Sequence, residues 1–412
     1  MASKLLILTQ YFPPEVGAPQ NRLFELAIRL QKMGIDVTVL TAMPNYPKNK
    51  IHADYLGKKY VYEEIQGIKV HRSWIYVSAS KSILSRLSNY FSFVFSSAWY
   101  GSFKVKGKFD YLLCESPPLF LGISALWLMK RKKSKLIFNV SDLWPETAEK
   151  LGIVTNSFLL NISYKLEHYL YKKATLITGQ TQGICKNISD RFPDKKTYWL
   201  PNGVDLNYYN TATVQSNWRN DNGFSESDFI LLYAGILGYA QGLEVILYAA
   251  NKTKHLHHIK YVFVGSGPEK EKLMTIKTEL QLSNVIFFEG VEKNKMPGIV
   301  AAIDVAIVPL KRLDIFKGAI PSKIFENLAM KKPILLGVEG EAEQLFIREG
   351  KCGWAFEPEN YEDLAKKVIY LDQNKNILPE FGNNALSYVK EKFNRDTLAE
   401  KFYEELCLLK NN

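Results

Sequence analysis

Lys4-Leu-Leu-Ile-Leu-Thr9 is a short apolar run, and its continuation through Thr41 decides the fold. A loop with Pro13, Pro14, Gly17 and Pro19 comes next. Leu23, Leu26, Ala27 and Leu30 then recur at helical spacing as far as Gly34, a residue suited to stop a helix. Asp36-Val-Thr-Val-Leu-Thr41 is a second buried-strand pattern. A strand, a helix and a strand in that order imply parallel pairing with the helix as crossover.

The pattern repeats outward. Further strands are predicted at Tyr111–Cys114, Leu136–Val140 and Leu176–Thr178, with helices between them. Residues 206–228 are rich in Asn, Ser and Thr and read as a linker. The strand–helix alternation then restarts at Ile230–Ala234, with a turn over Gly235–Gly242 and a helix through Val245–Ala250. Strands follow at Tyr261–Val264, Val285–Phe288, Val305–Val308 and Ile334–Leu336. Leu398, Phe402, Leu406 and Leu409 share one face of a closing helix. The fold class is therefore α/β, with two Rossmann-like domains whose parallel sheets face a common ligand cleft. The expected boundaries are 1–205, 206–394 and a helix at 395–412 that packs back on the first domain. A length of 412 residues suits two or three domains, and 47 % apolar with 23 % charged residues excludes a mainly disordered chain.

Charge is divided unevenly. Residues 1–200 hold 28 Lys+Arg against 14 Asp+Glu (+14), and the remainder hold 25 against 28 (−3), which sum to the formal +11. The asymmetry points to a polyanionic partner for the first half, either nucleic acid or anionic lipid. The cysteines, Cys114, Cys185, Cys352 and Cys407, are scattered, which argues against a disulfide framework or zinc knuckle. Lys4–Thr9 is too short for a secretory signal. The run 82–103 is long enough to span a membrane. However, Leu84, Leu87, Phe91, Val94, Phe95 and Ala98 form a stripe, with Ser85, Asn89, Ser92 and Ser96 opposite and Arg86 inside. That is an amphipathic helix, suited either to a core or to a membrane surface. Trp99 and the basic residues Lys104, Lys106, Lys132 and Lys133 favour the anionic surface.

Several motifs carry candidate chemistry. Gly17 and Pro19 open a helix and suit a phosphate-approach loop or a structural turn. Gly265-Ser-Gly267 lacks the third glycine of a dinucleotide fingerprint, so it reads as a turn bringing backbone near a ligand. Ser322 is placed to cap a helix whose first turn presents Lys323 and Glu326 on one face. A helix start with a lysine favours a diphosphate, and a carboxylate one turn on can accept from a ribose diol. Gly340, Glu341 and Ala342 lie in a loop open to sugar hydroxyls. His255, His257 and His258 have poor spacing for a metal site and are expected to have no acidic partner near them. His52 and His71 read as surface residues, and His168 as partly buried.

Taken together, these motifs resemble the family 4 retaining glycosyltransferases of GT-B fold. Pro201-Asn-Gly-Val-Asp205, Val264-Gly-Ser-Gly-Pro268, Pro321-Ser-Lys-Ile-Phe-Glu326 through Lys332-Pro333, and Gly350-Lys-Cys-Gly353 appear in the family's order. Tyr11–Pro19, Asp142-Leu-Trp-Pro-Glu146 and Gly235…Gly238…Gln241-Gly242 are similar to the fucosamine-transferase (WbuB-like) branch of O-antigen and capsule assembly. The resemblance implies a UDP-sugar held by the second domain, an acceptor on the first, no metal and no cofactor. Transfer would retain configuration, with the leaving diphosphate helping to deprotonate the acceptor. Glu326 matches the second glutamate of the family's E-x7-E motif, and Gly318 stands where the first should be. The family's Arg/Lys pair falls at Ile236 and Gln241, which makes Lys323, Arg312 and the N–H groups of Gly340–Ala342 the diphosphate candidates. The family's histidine falls at Ser141, leaving Asp142 or Glu146 near the acceptor.

The expected function is thus transfer from a UDP-sugar to a glycan on undecaprenyl diphosphate. The enzyme would be cytoplasmic and peripheral on the inner face of the cytoplasmic membrane, with anionic lipid rather than nucleic acid as its partner. The catalytic set is Lys323, Glu326, Asp142 and Glu146. Gly17, Gly238, Gln241, Gly265 and Gly267 join the donor set, and Leu87, Phe91, Phe95 and Trp99 the membrane set. The rivals are a UDP-sugar 2-epimerase of the same fold and a non-catalytic lipid- or nucleic-acid-binding module.

Overall fold

The computed structural model describes residues 2–15, 17–46, 49–78, 80 and 83–411. Val16, Ser82 and the side chains of Leu84 and Arg86 lie outside the described residues. The chain divides into two compact units, Met1–Asn202 with Arg395–Asn412, and Gly203–Asn394.

The first unit runs β1 (Lys4–Leu8), α1 (Ala18–Lys32), β2 (Asp36–Ala42), β3 (Tyr60–Ile65), β4 (Ile68–Ser73), α2 (Ile83–Phe103), β5 (Tyr111–Ser116) and α3 (Leu121–Lys132). It continues with β6 (Lys135–Val140), α4 (Glu146–Lys150), α5 (Ser157–Lys173), β7 (Leu176–Gly179), α6 (Gln182–Arg191) and β8 (Thr197–Trp199). The sheet order is β3-β4-β2-β1-β5-β6-β7-β8, parallel except for the β3–β4 pair. Strand order reverses at β1, so β1 and β5 flank a switch point, and ligands of open parallel sheets bind outside the carboxyl ends at such points. Period-two alternation splits the core. Leu6 and Leu8 pack with residues of α2, α3 and α5, while Leu5 and Ile7 pack with α1 and the last helix.

The sequence reading missed the β3–β4 hairpin. Gln66 (φ 49) and Gly67 (φ 83) form its two-residue turn, the geometry that a right-twisted hairpin needs. Arg72 of β4 is fully buried and donates to the Pro13 and Ala42 carbonyls and to Glu63. His71 is buried rather than on the surface, accepts or donates at 2.7 Å with the Tyr60 hydroxyl, and is pushed down to about 4 by burial. His168 is exposed, not partly buried.

Helix α2 also differs from expectation. Its inward face includes Phe93, Val94, Ser96 and Ser97, while Phe95, Trp99 and Phe103 point out. Serines can face inward because each finds a partner. Ser97 donates to Ser124 at 2.8 Å, and Ser96 to the Ser73 hydroxyl at 3.1 Å and to the Trp74 carbonyl. Lys132 is buried, not a surface residue. Its ammonium donates to the carbonyls of Ser102 and Val105 and ties down the end of α2.

The second unit contains α7 (Trp218–Asp221), β9 (Phe229–Ala234), α8 (Glu244–Lys252), β10 (Ile259–Val264), α9 (Lys270–Glu279), β11 (Val285–Phe288) and α10 (Met296–Ala301). It closes with β12 (Val305–Pro309), α11 (Lys323–Ala329), β13 (Ile334–Gly337), β14 (Gly353–Ala355), α12 (Tyr361–Gln373) and α13 (Leu378–Lys392). Its all-parallel sheet has the order β11-β10-β9-β12-β13-β14. The segment 206–228 is not a free linker. Trp218 stacks on Phe224 at 5.3 Å, and Arg219 pairs with Asp304 at 2.7 Å, so the unit begins at Gly203. His258 does have an acidic partner, Asp372, at 2.9 Å. The last helix, α14 (Arg395–Asn411), belongs to the first unit, where Phe402 and Leu406 are buried and Arg395 donates to Glu25.

Candidate active site

In the second unit, the carboxyl ends of β9, β10, β12 and β13 carry the donor-side candidates. Lys323 opens α11 and lies with its ammonium 3.7 Å above the Tyr233 ring, near Gly235. The Tyr233 hydroxyl donates to the Ile236 carbonyl at 2.6 Å, which fixes the ring that supports the lysine. Burial pushes the Lys323 pKa down to about 7, against an opposing pull from Glu326 one turn along. An amine so placed gains most from a diphosphate, whose charge would restore the ammonium. Ser322 makes no side-chain cap on α11, contrary to expectation. The helix has only seven residues, so the positive charge at its start comes from Lys323 rather than from a long dipole.

The glycines of this edge pack backbone on backbone. A side chain at Gly265 would come 1.9 Å from the Gly235 carbonyl oxygen, and one at Gly267 would come 2.3 Å from that of Leu237. The close approach is therefore between the loops after β9 and β10, which fixes the shape of the site. Gly238 precedes the turn Tyr239–Gln241, and the Gln241 side chain folds against it. Gly340, at φ +87, lies against the Lys317 carbonyl, where a side chain would come within 2.2 Å. Glu341 follows it, and buried Ala342 leads into a wide π-type turn, Glu343–Glu349. Arg312 is held among carboxylates, at 2.6 Å from Glu357 and 3.4 Å from Glu339. Gly318 faces open space, so no neighbour occupies the position of the missing glutamate.

In the first unit, the carboxyl ends of β5, β6 and β7 meet in a buried polar network that the sequence reading did not assemble. Arg22 donates through Nη2 to both oxygens of Glu115, at 2.8 and 3.0 Å, and to Ser141 at 2.8 Å. Asn139 donates to Glu115 and accepts from Thr178. Ser141, where the resemblance expects histidine, is thus tied into an ion pair. Asp142 follows it. Its carboxyl is raised by burial, opposed by the Thr147 hydroxyl that donates at 2.7 Å. Glu146 pairs with Lys150 at 2.6 Å. Gly17 sits at the start of α1 in extended backbone, and its missing side chain leaves room for the Gln20 amide. Gln10 donates to Asn89 at 3.0 Å, which fastens the early part of α2 to the loop after β1. Tyr233, Arg22 and Glu115 are the residues reasoning from sequence missed, and Asn89 was read only as part of a polar helix face. Only Arg22 had a local signal, since it follows the Gly/Pro loop. Among the described residues, no three His, Cys, Asp or Glu side chains gather as a metal site.

The fold is shared with known proteins. The family described as Glycosyltransferase Family 4 matches residues 20–208, and that described as Glycosyl transferases group 1 matches residues 214–387. The chain is 23 % identical over 411 residues to the putative colanic acid biosynthesis glycosyl transferase WcaI of Escherichia coli K12, covering 98 % of this chain and 99 % of that one. It is 24 % identical over 311 residues to the probable glycosyltransferase WbjE of Pseudomonas aeruginosa, covering 71 % and 73 %. Among solved structures, sucrose-phosphate synthase from Thermosynechococcus elongatus superposes with a TM-score of 0.76 at 15 % identity, covering 99 % of both chains. Anabaena HepE in complex with UDP-glucose gives 0.72 at 16 % identity, covering 98 % and 99 %. Two parallel-sheet units, one matched by each of these two glycosyltransferase families, make the chain a member of the family 4 (group 1) glycosyltransferases of GT-B fold, a nucleotide-sugar glycosyltransferase.

Proposed function

We propose that the chain transfers a sugar from a UDP-sugar to a glycan carried on undecaprenyl diphosphate, with retention of configuration and without a metal. The donor sugar is an N-acetylated amino sugar such as N-acetyl-L-fucosamine, and the product belongs to bacterial O-antigen or capsule, as in the fucosamine-transferase-like branch. The observation that carries the donor side is Lys323 above Tyr233, a cation kept in reserve at a glycine-lined edge. Lys323 meets the charge that grows on the leaving diphosphate, helped by the N–H groups of Gly340–Ala342. Glu326 accepts from the ribose hydroxyls. The bond from the anomeric carbon to the diphosphate oxygen breaks while that carbon bonds the acceptor oxygen on the same face. The acceptor proton passes to the departing diphosphate, and Asp142 orients the acceptor. The positive excess of residues 1–200 supports an anionic, lipid-linked acceptor.

The test is turnover of a panel of UDP-, GDP- and dTDP-sugars with a polyprenyl-diphosphate glycan. Lys323→Ala and Glu326→Ala should each lower the rate about a hundredfold or more, and a chelator should leave it unchanged. Wild-type rates in either variant would overturn its assigned role, and a rate lost to the chelator would overturn the metal-free reading.

A further inference from the structure

We infer that the outer faces of α2, α3 and α5 form one docking surface for an anionic lipid bilayer. This deepens the proposed lipid-linked acceptor and adds two helices to the one whose sequence suggested a membrane contact. Each helix presents large apolar side chains one turn apart to solvent. They are Phe95, Trp99 and Phe103 on α2, Ile123 and Trp127 on α3, and Phe158 and Ile162 on α5. Phe95 is 72 % exposed, Phe158 70 % and Trp127 59 %, while the inner faces of the same helices are packed in the core. Trp99 lies against Phe103 at 4.7 Å, and Trp127 donates to Ser102 of α2 at 2.9 Å, so the α2 and α3 side chains share one patch. The opposite layer shows the contrast. Among the described residues of α1 and α14, Leu408 alone is a large apolar side chain in the open.

Charge selects the occupant. α2 and α3 contain no acidic residue, and the one in α5, Glu167, is buried and paired with Arg191. Lys104, Lys106 and Lys108 follow α2, Lys130, Arg131 and Lys133 close α3, and all are exposed. α5 ends on exposed Lys172 and Lys173. Aromatic side chains framed by lysines suit a headgroup layer, where rings enter the interface and ammonium groups meet lipid phosphates. No helix among the described residues is long and apolar enough to cross a membrane, so the contact is with one leaflet.

The test is co-sedimentation of the full chain with phosphatidylcholine vesicles, with and without phosphatidylglycerol, at low and high salt. Binding should need phosphatidylglycerol and weaken with salt. Trp127→Gln with Phe158→Ser, both at exposed positions, should lower the partition coefficient at least about tenfold while circular dichroism and donor hydrolysis stay unchanged. Lys108→Gln with Lys130→Gln should weaken binding only to the phosphatidylglycerol vesicles. Unchanged partition in the apolar variant overturns the proposal, as does equal binding to both vesicles. A dimer that the same substitutions dissociate also overturns it, since the face would then belong to a second copy. Neither sugar donor nor glycan acceptor enters the sedimentation, so its failure leaves the proposed transfer standing, and failed transfer leaves the docking result standing.

Discussion

A single lysine links the chemistry to solution conditions. Burial holds Lys323 at a pKa of about 7, so above that pH it is mostly neutral. A diphosphate beside it favours the ammonium and raises the pKa, so UDP binding above pH 7 should take up a proton. Affinity for UDP should therefore weaken as pH rises through that window, and level off below it. Calorimetry in buffers of different ionisation enthalpy reads the proton directly, and Lys323→Met should abolish both the uptake and the pH dependence. Two glycines give a sharper residue-scale contrast. Gly340→Ala forces a side chain onto the Lys317 carbonyl at φ +87 and should cost about 1–3 kcal/mol. Gly318→Ala enters open space and should stay within about 0.5 kcal/mol. Thermal melting of both variants checks the pair, and equal destabilisation would refute the packing argument.

At the scale of elements, α14 is held by burial and by hydrogen bonds to the rest of the first unit. The Tyr111 hydroxyl donates to the Leu406 carbonyl at 2.6 Å, and the Phe402 ring is fully buried beside Tyr198. Phe402→Ala should cost about 3–5 kcal/mol and Tyr111→Phe about 1–3 kcal/mol, measured by denaturant unfolding. The alternation of apolar strands and helices made such elements legible. Runs such as Leu231–Ala234 and Ile334–Leu336 are apolar on both sides because parallel strands are covered twice. The β3–β4 hairpin was less visible, since Tyr60–Ile65 is an edge strand with two glutamates, and its turn is Gln-Gly rather than Asn-Gly. α2 misled for another reason. A serine counts as polar in a periodicity, but Ser96 reaches Ser73 inside the core, which frees the aromatic side to face out. Lys323 was legible from its motif as a donor-site candidate. Tyr233 and the Arg22–Glu115 pair were not, because they join residues far apart in sequence.

At the scale of the whole molecule, two units with separate cores predict separate responses. UDP should slow hydrogen exchange in Gly203–Asn394, by about 2.7 kcal/mol at a hundred times its Kd. The strands β1, β5 and β6 should show far smaller changes, and equal protection of both units would refute a donor site confined to the second. The first unit is also discontinuous, with α14 following the second unit along the chain. During synthesis, the sheet face that receives Phe402 and Leu406 must wait while Gly203–Asn394 is made. At ribosomal speeds that interval is roughly 10–40 s. For that time an apolar strip of the nascent chain stays open to water and to chaperones, and truncation anywhere in the second half leaves the first half unfinished as well.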